Sequence, residues 1–422
     1  MPQLCLYLQL HQPYRLKPLS VFDIGSQPAD YFGQNEQNHV ASQDNRAIFN
    51  KVAQKSYIPM LTLLNEILST EPDFSCALSV SGVFLDQAQE FEPKVIRLLQ
   101  DLAQTGRVEF LAETYYHSLS SLYSPREFRA QVKMQMDKIE ELFGLRPRVL
   151  RNTELVYSNQ IAELVVPLNF AGMLTEGVER YLHGRPRTQV YLSKTKRPLP
   201  LLLKHAQLSD DIAFRFSDRN WSEHPLSVDK YLEWVEVYPE NEVVNLFMDF
   251  ETFGEHQWVD TGIFEFFRLF IHRFLERPWN TCKTPTQLFF EFAQSRMELD
   301  RLERTYDVPE PISWADVDRD LTAWRDNALQ TDTLEQIYQL EDRVLESGDE
   351  KLIEDWRKLQ TSDHFYYMCI KWSNDGDVHA YFSPYNSPFE AYRMYSLALA
   401  DLHERLVSTG TNQIEGNVWH AH

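Results

Sequence analysis

Five segments of this sequence place polar or ionisable side chains directly after apolar, strand-like runs. In parallel α/β folds the carboxyl ends of strands are where ligands bind, so the pattern has a mechanical meaning. The segments are His11-Gln12-Pro13-Tyr14, Glu113-Thr114-Tyr115-Tyr116-His117-Ser118 and Arg151-Asn152-Thr153-Glu154-Leu155-Val156-Tyr157, then Met248-Asp249-Phe250-Glu251-Thr252-Phe253-Gly254-Glu255-His256, and last the Trp-rich stretch from Ser313 to Trp324. A carboxylate at Glu154, where a strand turns into a helix, would accept hydrogen bonds and stay ionised, as a nucleophile must. Asp249 and Glu251 are two apart and point to one side if their strand continues. Like charges so placed push one pKa upward, which suits a general acid. Gly254 permits close approach of backbone to a ligand.

Each segment also has a plainer reading. His11-Gln12 is a loop with a proline turn, and Tyr115 and Tyr116 are packing residues. Glu154 caps a helix or pairs with Arg151. Asp249, Glu251 and His256 form a hydrated acidic strand end or a metal set. Trp314 anchors a surface helix that carries Asp316.

The elements that must position these groups are legible from hydrophobic patterning. Strand-like runs fall at 4–10, 74–80, 108–113, 148–152, 171–175, 199–204 and 243–249, the last an apolar run ending in acids. Between them lie helical patterns, such as the 3.6-residue period through Ile48, Val52, Ile58, Leu61, Leu64 and Leu68. Ser124-Pro125-Arg126-Glu127 reads as a capping box with proline in the first turn, opening a helix that stops at Gly144. Strand–helix alternation predicts an α/β fold with a parallel sheet, closed or open. Beyond about residue 281 the pattern becomes helical, over 284–297, 315–329, 334–345, 351–359 and 389–406. The expectation is a β/α catalytic domain over 1–280 and a helical domain over 281–422 covering the active-site cleft. An aromatic-rich stretch (Tyr366, Tyr367, Trp372, Tyr381, Phe382, Tyr385) is expected to anchor the helical region to the barrel, the alternative being that it lines distant subsites.

A formal net charge of −21 disfavours nucleic acid and anionic membranes as partners and suits a neutral substrate. Aromatics at 13% supply core, and the same residue type stacks flat sugar faces. Cys5, Cys76, Cys282 and Cys369 share no metal-type spacing and are too few for a disulfide framework. Cys5 and Cys76 sit in apolar runs and read as buried thiols. No run approaches the ~20 apolar residues of a membrane span, and Met1-Pro2-Gln3-Leu4 has no basic signal region. A cytoplasmic protein is expected.

Taken together, His11-Gln12-Pro13, the Tyr116-His117 stretch, Asn152-Thr153-Glu154-Leu155, Asp249-Phe250-Glu251-Thr252-Phe253-Gly254 and Ser313-Trp314-Ala315-Asp316 resemble the motifs of glycoside hydrolase family 57, in order, over residues 11–324. The resemblance is to its shorter α-amylase-type members. It implies an incomplete seven-stranded β/α barrel followed by a helical region packed on it. It also implies a retaining double displacement on α-glucosidic bonds, with Glu154 as nucleophile, Asp249 as general acid/base and no metal or cofactor. His11 and Glu251 match substrate-binding positions, and Trp314 and Asp316 match the motif from the helical region. Gln12, His117, Arg151 and His256 complete the expected substrate contacts, Arg151 also holding Glu154 ionised. Glucanotransferase-type members carry glutamate where this chain has His117, which favours the amylase-like branch. The expected partner is an α-glucan oligo- or polysaccharide. The same two acids would also support 4-α-glucanotransferase or branching-type chemistry. The rivals are a metal-dependent polysaccharide deacetylase and a non-catalytic glucan-binding protein using Tyr14, Tyr115, Tyr116, Trp221, Trp258 and Trp314.

Overall fold

The computed structural model describes residues 2–26, 29–33, 44–239, 242–295, 303–315, 317–371 and 383–418. The chain divides into two compact units: the first is Met1–Gln12, Phe49–Tyr115 and Pro125–Trp314, the second Pro13–Ile48, Tyr116–Ser124 and Ala315–His422. Residues 281–314, expected with the C-terminal helices, thus belong to the strand-bearing unit, and two early insertions belong to the helical one.

The first unit carries β1 (Gln3–Leu10), β2 (Cys76–Val80), β3 (Val108–Leu111), β4 (Val149–Arg151), β5 (Gly172–Glu176), β6 (Tyr191–Ser193), β7 (Pro200–Lys204), β8 (Val243–Asp249), β9 (Thr281–Cys282) and β10 (Thr305–Tyr306). All seven expected runs form strands; the two- and three-residue strands β6, β9 and β10 are too short to leave a hydrophobic period. The strands do not make one continuous sheet. They form two five-stranded sheets, ordered β3-β2-β1-β8 with β9 on the start of β1, and β10-β6-β7-β5-β4. Every pairing is parallel except β6 with β7. At one seam the ladder shrinks to a single bridge, Ala112 with Leu150, because β4 has only three residues. At the other, Asn245 in mid-β8 accepts from His205 N at 2.8 Å and donates from Nδ2 to Leu203 O at 2.9 Å. The fold is therefore α/β with parallel sheets and flanking helices.

Buried helices and strands explain the near-continuous apolar runs of β1 and β8. Alternate residues Cys5, Tyr7, Val243 and Phe247 meet Leu111, Val149, Leu155, Leu174 and Leu202 in one cluster, with the partly buried Trp314 against it. Each fully buried aliphatic or Phe side chain stabilises by about 1.5–3 kcal/mol. Helices Ile58–Thr70, Gly82–Phe91, Pro93–Gln104, Pro125–Phe143 and Ile263–Leu275 cover the strands. All four cysteines are buried and free.

The second unit is helical: Ala328–Gln339, Glu341–Ser347, Glu350–Lys358, Ser362–Tyr366 and Pro388–Val418 bury Trp324, Leu334, Ile337, Trp356, Phe365, Tyr395 and Leu402. Within the helix expected over 315–329, Thr322–Arg325 forms one short helix and Ala328 opens the next. Asp320 Oδ1 accepts from the Thr322 backbone and hydroxyl at 2.8 and 2.6 Å, and Arg319 is left-handed at φ 50°. Aspartates that bond nearby backbone compete with helix formation. Tyr367 and Tyr385 are buried and meet edge-on at 5.9 Å, and Tyr366 lies against Trp324 at 6.1 Å, so these aromatics pack into the second unit's own core. Trp372, Tyr381 and Phe382, like the expected helix end at Met297, lie outside the described residues. Among the described residues no helix is long and apolar enough to cross a membrane.

Candidate active site

Past the end of β4 the backbone makes an unusual turn. Thr153–Leu155 is a single 3-10 turn in which Glu154 adopts φ 56°, ψ 26° and Leu155 φ 51°. A left-handed non-glycine residue costs roughly 1–2 kcal/mol, and such strain persists only where the surroundings over-determine it. Here Leu155 N donates to Asn152 O at 2.9 Å, Val156 N to Thr153 O at 3.0 Å and Trp314 N to Glu154 O at 3.2 Å. Asn152 Nδ2 donates to Val156 O at 2.8 Å, and Thr153 shares a hydroxyl bond of 2.7 Å with Thr114. The Glu154 carboxylate accepts the Trp314 indole N–H at 2.7 Å on Oε2. One tryptophan therefore bonds both the main chain and the side chain of the expected nucleophile.

The expected Arg151–Glu154 ion pair does not form. Arg151, fully buried, lays its guanidinium over the Trp314 ring at 5.0 Å, the ring whose N–H meets the carboxylate. Trp314 is thus part of this turn and not an anchor on a helix.

At the other expected acid, β8 ends at Asp249 and Phe250–Thr252 is a 3-10 turn. Asp249 and Glu251 are therefore not successive same-face residues of one strand. They still interact: the Glu251 carboxyl is pushed up to about 8, by burial first and by the Asp249 charge second, with a Tyr57 hydrogen bond opposing. Tyr57 OH donates to Glu251 Oε1 at 2.7 Å and accepts from Gln12 Nε2 at 3.0 Å. Tyr57 ends a π-helical turn, Ala53–Tyr57, a device often found at functional sites. Gly254, at φ 106°, has no room for a Cβ, which would collide with the Lys55 carbonyl.

Beside Asp249 the end of β1 is polar. Gln9, paired in register with Asp249, accepts from Tyr7 OH and Ser79 Oγ at 2.7 and 2.8 Å and donates to the buried Glu113 at 3.2 Å. The Tyr7 hydroxyl is raised well above its usual range, by burial first; Arg151 opposes this, and Glu113 and Asp249 reinforce it. Tyr7 thus feels charge from both the β4 and β8 ends, which places the two in one electrostatic environment. His11 Nδ1 lies 2.8 Å from Ser81 Oγ, and Gln87 Nε2 donates to Gln12 O at 2.7 Å.

Residues 5–309 match the family model described as Glycosyl hydrolase family 57. The chain belongs to that family. A relative from Methanocaldococcus jannaschii described as "Putative alpha-amylase" is 38% identical over 406 residues, 93% of this chain and 82% of the relative. Among solved structures, a family 57 branching enzyme from Thermococcus kodakaraensis matches with a TM-score of 0.66 at 14% identity, over 96% of this chain and 90% of that one. A 4-alpha-glucanotransferase from Thermococcus litoralis matches at 0.61 and 15%, over 86% of this chain, which spans 56% of the transferase. At these identities the structural likeness speaks for the fold.

Within this family 57 chain, the first unit holds His11, Gln12, Arg151, Glu154, Asp249, Glu251, His256 and Trp314. Gln12 and Glu251 are joined through Tyr57, and Glu154 and Arg151 through Trp314. His256 follows the turn, its N–H donating to Glu251 O at 2.9 Å, and burial depresses its imidazole to about 4, so it is neutral at neutral pH. His117 belongs to the second unit, left-handed at φ 50°, its carbonyl accepting from Ser362 N at 3.0 Å. Asp316 lies outside the described residues. Among the described residues no three His, Cys, Asp or Glu side chains are grouped to hold a metal ion. Tyr57, which joins Gln12 to Glu251, carries no sequence signal. It sits in an ordinary amphipathic helical pattern.

The raised Glu251 makes stability pH-dependent. Folded, its carboxyl titrates near 8 against an ordinary 4.5, so between those values the folded state holds a proton the unfolded state lacks. Stability therefore falls as pH rises through this window. Glu251→Gln removes the term. The melting temperature of the parent is expected to drop relative to the variant between pH 5 and 8; a constant difference would contradict the burial assigned to this carboxyl.

Proposed function

We propose that this protein is a retaining glycoside hydrolase that cleaves α-glucosidic, mainly α-1,4, bonds in glucans or maltodextrins, with Glu154 as nucleophile and Asp249 as general acid/base. The observation that carries the reading is the over-determined Glu154 turn, whose carboxylate accepts the Trp314 indole N–H, at the carboxyl end of one strand, with Asp249 at the carboxyl end of another. Retaining enzymes keep their two carboxyl groups about 5–5.5 Å apart. Asp249 protonates the departing oxygen as Glu154 attacks the anomeric carbon. The glycosyl–Glu154 ester is then opened by water that Asp249 deprotonates. Tyr57 holds Glu251 for contact with sugar hydroxyls, assisted by Gln12, and His11 and neutral His256 serve the same cleft. We read the two sheets as one distorted seven-stranded β/α barrel of β1, β2, β3, β4, β5, β7 and β8, broken at two seams. Its four free, buried thiols suit a reducing cytoplasm, where a storage glucan such as glycogen is a fitting substrate.

The name of the 38%-identical relative supports the amylase reading over its relatives' transfer reactions. Incubation with maltoheptaose and chromatography of the products tests it. Shorter sugars alone, released with retained α-configuration by NMR, are expected. Products longer than the substrate would show transfer, and an unchanged substrate in every lane would remove linear maltodextrins.

A further inference from the structure

The Trp314 ring carries a second cation. Lys204, the last residue of β7, places Nζ 5.3 Å from its centroid, and the Arg151 guanidinium lies 5.0 Å from the same centroid. Lys204 is nearly inaccessible and is tied by Nζ to Asp210 Oδ1 at 2.8 Å in a buried ion pair. A long, flexible side chain is thereby fixed in one geometry. Burying a charge is costly unless it is well paired, so an ordinary strand-end lysine would be turned to solvent. Here it lies against the indole whose N–H donates to the Glu154 carboxylate.

Two cations beside one indole act on it in the same direction. They draw on the negative face of the ring, an attraction that grows when the site is desolvated, and they strengthen the indole N–H as a donor. The bond it makes is to a carboxylate, the class of hydrogen bond that gains most from such polarisation. We propose that Lys204 is a positioning residue for the displacement. Clamped by Asp210, it fixes the Trp314 ring and, through the indole N–H, holds the Glu154 carboxylate in attacking orientation. The proposal rests on Glu154 being the nucleophile.

The test separates the nucleophile from the acid by using α-maltotriosyl fluoride, whose leaving group needs no proton. Lys204→Met, Lys204→Arg and the double variant Lys204→Met/Asp210→Asn are compared with the parent, each checked for its melting temperature. The double variant removes the orphaned buried carboxylate that could unfold the single one. Both methionine variants are expected to lose roughly tenfold in kcat, with KM changed by less than about twofold, and arginine is expected to recover most of the loss by restoring a cation over the ring. A double variant with the parent's kcat would overturn the proposal, as would an arginine variant no better than methionine. If Glu154→Gln kept the parent's activity, the nucleophile assignment would fail first, whatever the Lys204 variants did.

Discussion

Glu154→Gln is expected to lower kcat on maltooligosaccharides by at least about a thousandfold, the scale of loss when a covalent nucleophile is removed, while leaving the melting temperature nearly unchanged. The amide is isosteric, and its carbonyl oxygen can still accept the Trp314 indole N–H that now reaches Oε2 at 2.7 Å. The backbone bond from Trp314 N to Glu154 O does not involve the side chain at all. The left-handed turn should therefore survive, and what disappears is negative charge able to attack the anomeric carbon. A second variant makes the assignment specific. Glu154→Gly relieves the left-handed backbone, since glycine adopts positive φ freely, and opens space for a small anion. Added azide should then restore turnover and release a β-glycosyl azide, because the external nucleophile attacks once where the protein's attack would have been followed by a second inversion. More than about a tenth of the parent activity in Glu154→Gln would mean the nucleophile is elsewhere.

The sequence carried the strands and the two acids but not the relations between them. The seven expected strands were legible chiefly because parallel strands buried on both faces are almost continuously apolar, and β1 and β8 are of that kind. The break into two sheets was not, since it depends on β4 having three residues and on one polar residue, Asn245, in an otherwise apolar run. Glu154 was visible as a carboxylate after a strand, yet its left-handed turn was not: nothing in Asn-Thr-Glu-Leu asks for positive φ, and the conformation comes from Trp314, 160 residues away. For the same reason Arg151 read as the partner of Glu154. Neighbours in sequence made that pairing plausible, and the intervening indole replaces it. Residues 281–314 read as the start of a helical domain because Pro285–Gln294 is a strong, capped helix. The pairs that tie this segment to the first unit, β9 on β1 and β10 on β6, are two residues long each.

Asp249→Asn should produce a loss whose size depends on the leaving group. With maltooligosaccharides the departing sugar oxygen must be protonated, and removing a positioned general acid costs typically a hundredfold to ten-thousandfold. With α-maltotriosyl fluoride no proton is needed, so Glu154 should still be glycosylated at a rate close to the parent's. The second step then fails for want of a base to activate water. The covalent intermediate should accumulate, visible as a burst of fluoride and as a trisaccharide adduct on the peptide carrying Glu154. Azide, which needs no deprotonation, should discharge it. Equal losses on both substrates would remove Asp249 from the acid role and leave Glu251 as the candidate. Glu251 already holds a proton near neutrality, its carboxyl raised to about 8 by burial and by the Asp249 charge. That second cause supplies an independent check within the same variant. Without the charge at 249, the Glu251 carboxyl should titrate lower, so the fall in stability with rising pH should be smaller in Asp249→Asn than in the parent. A variant with the leaving-group dependence but an unchanged pH slope would keep Asp249 as acid and deny its coupling to Glu251; the reverse result would make Asp249 an electrostatic neighbour and place the proton transfer on Glu251.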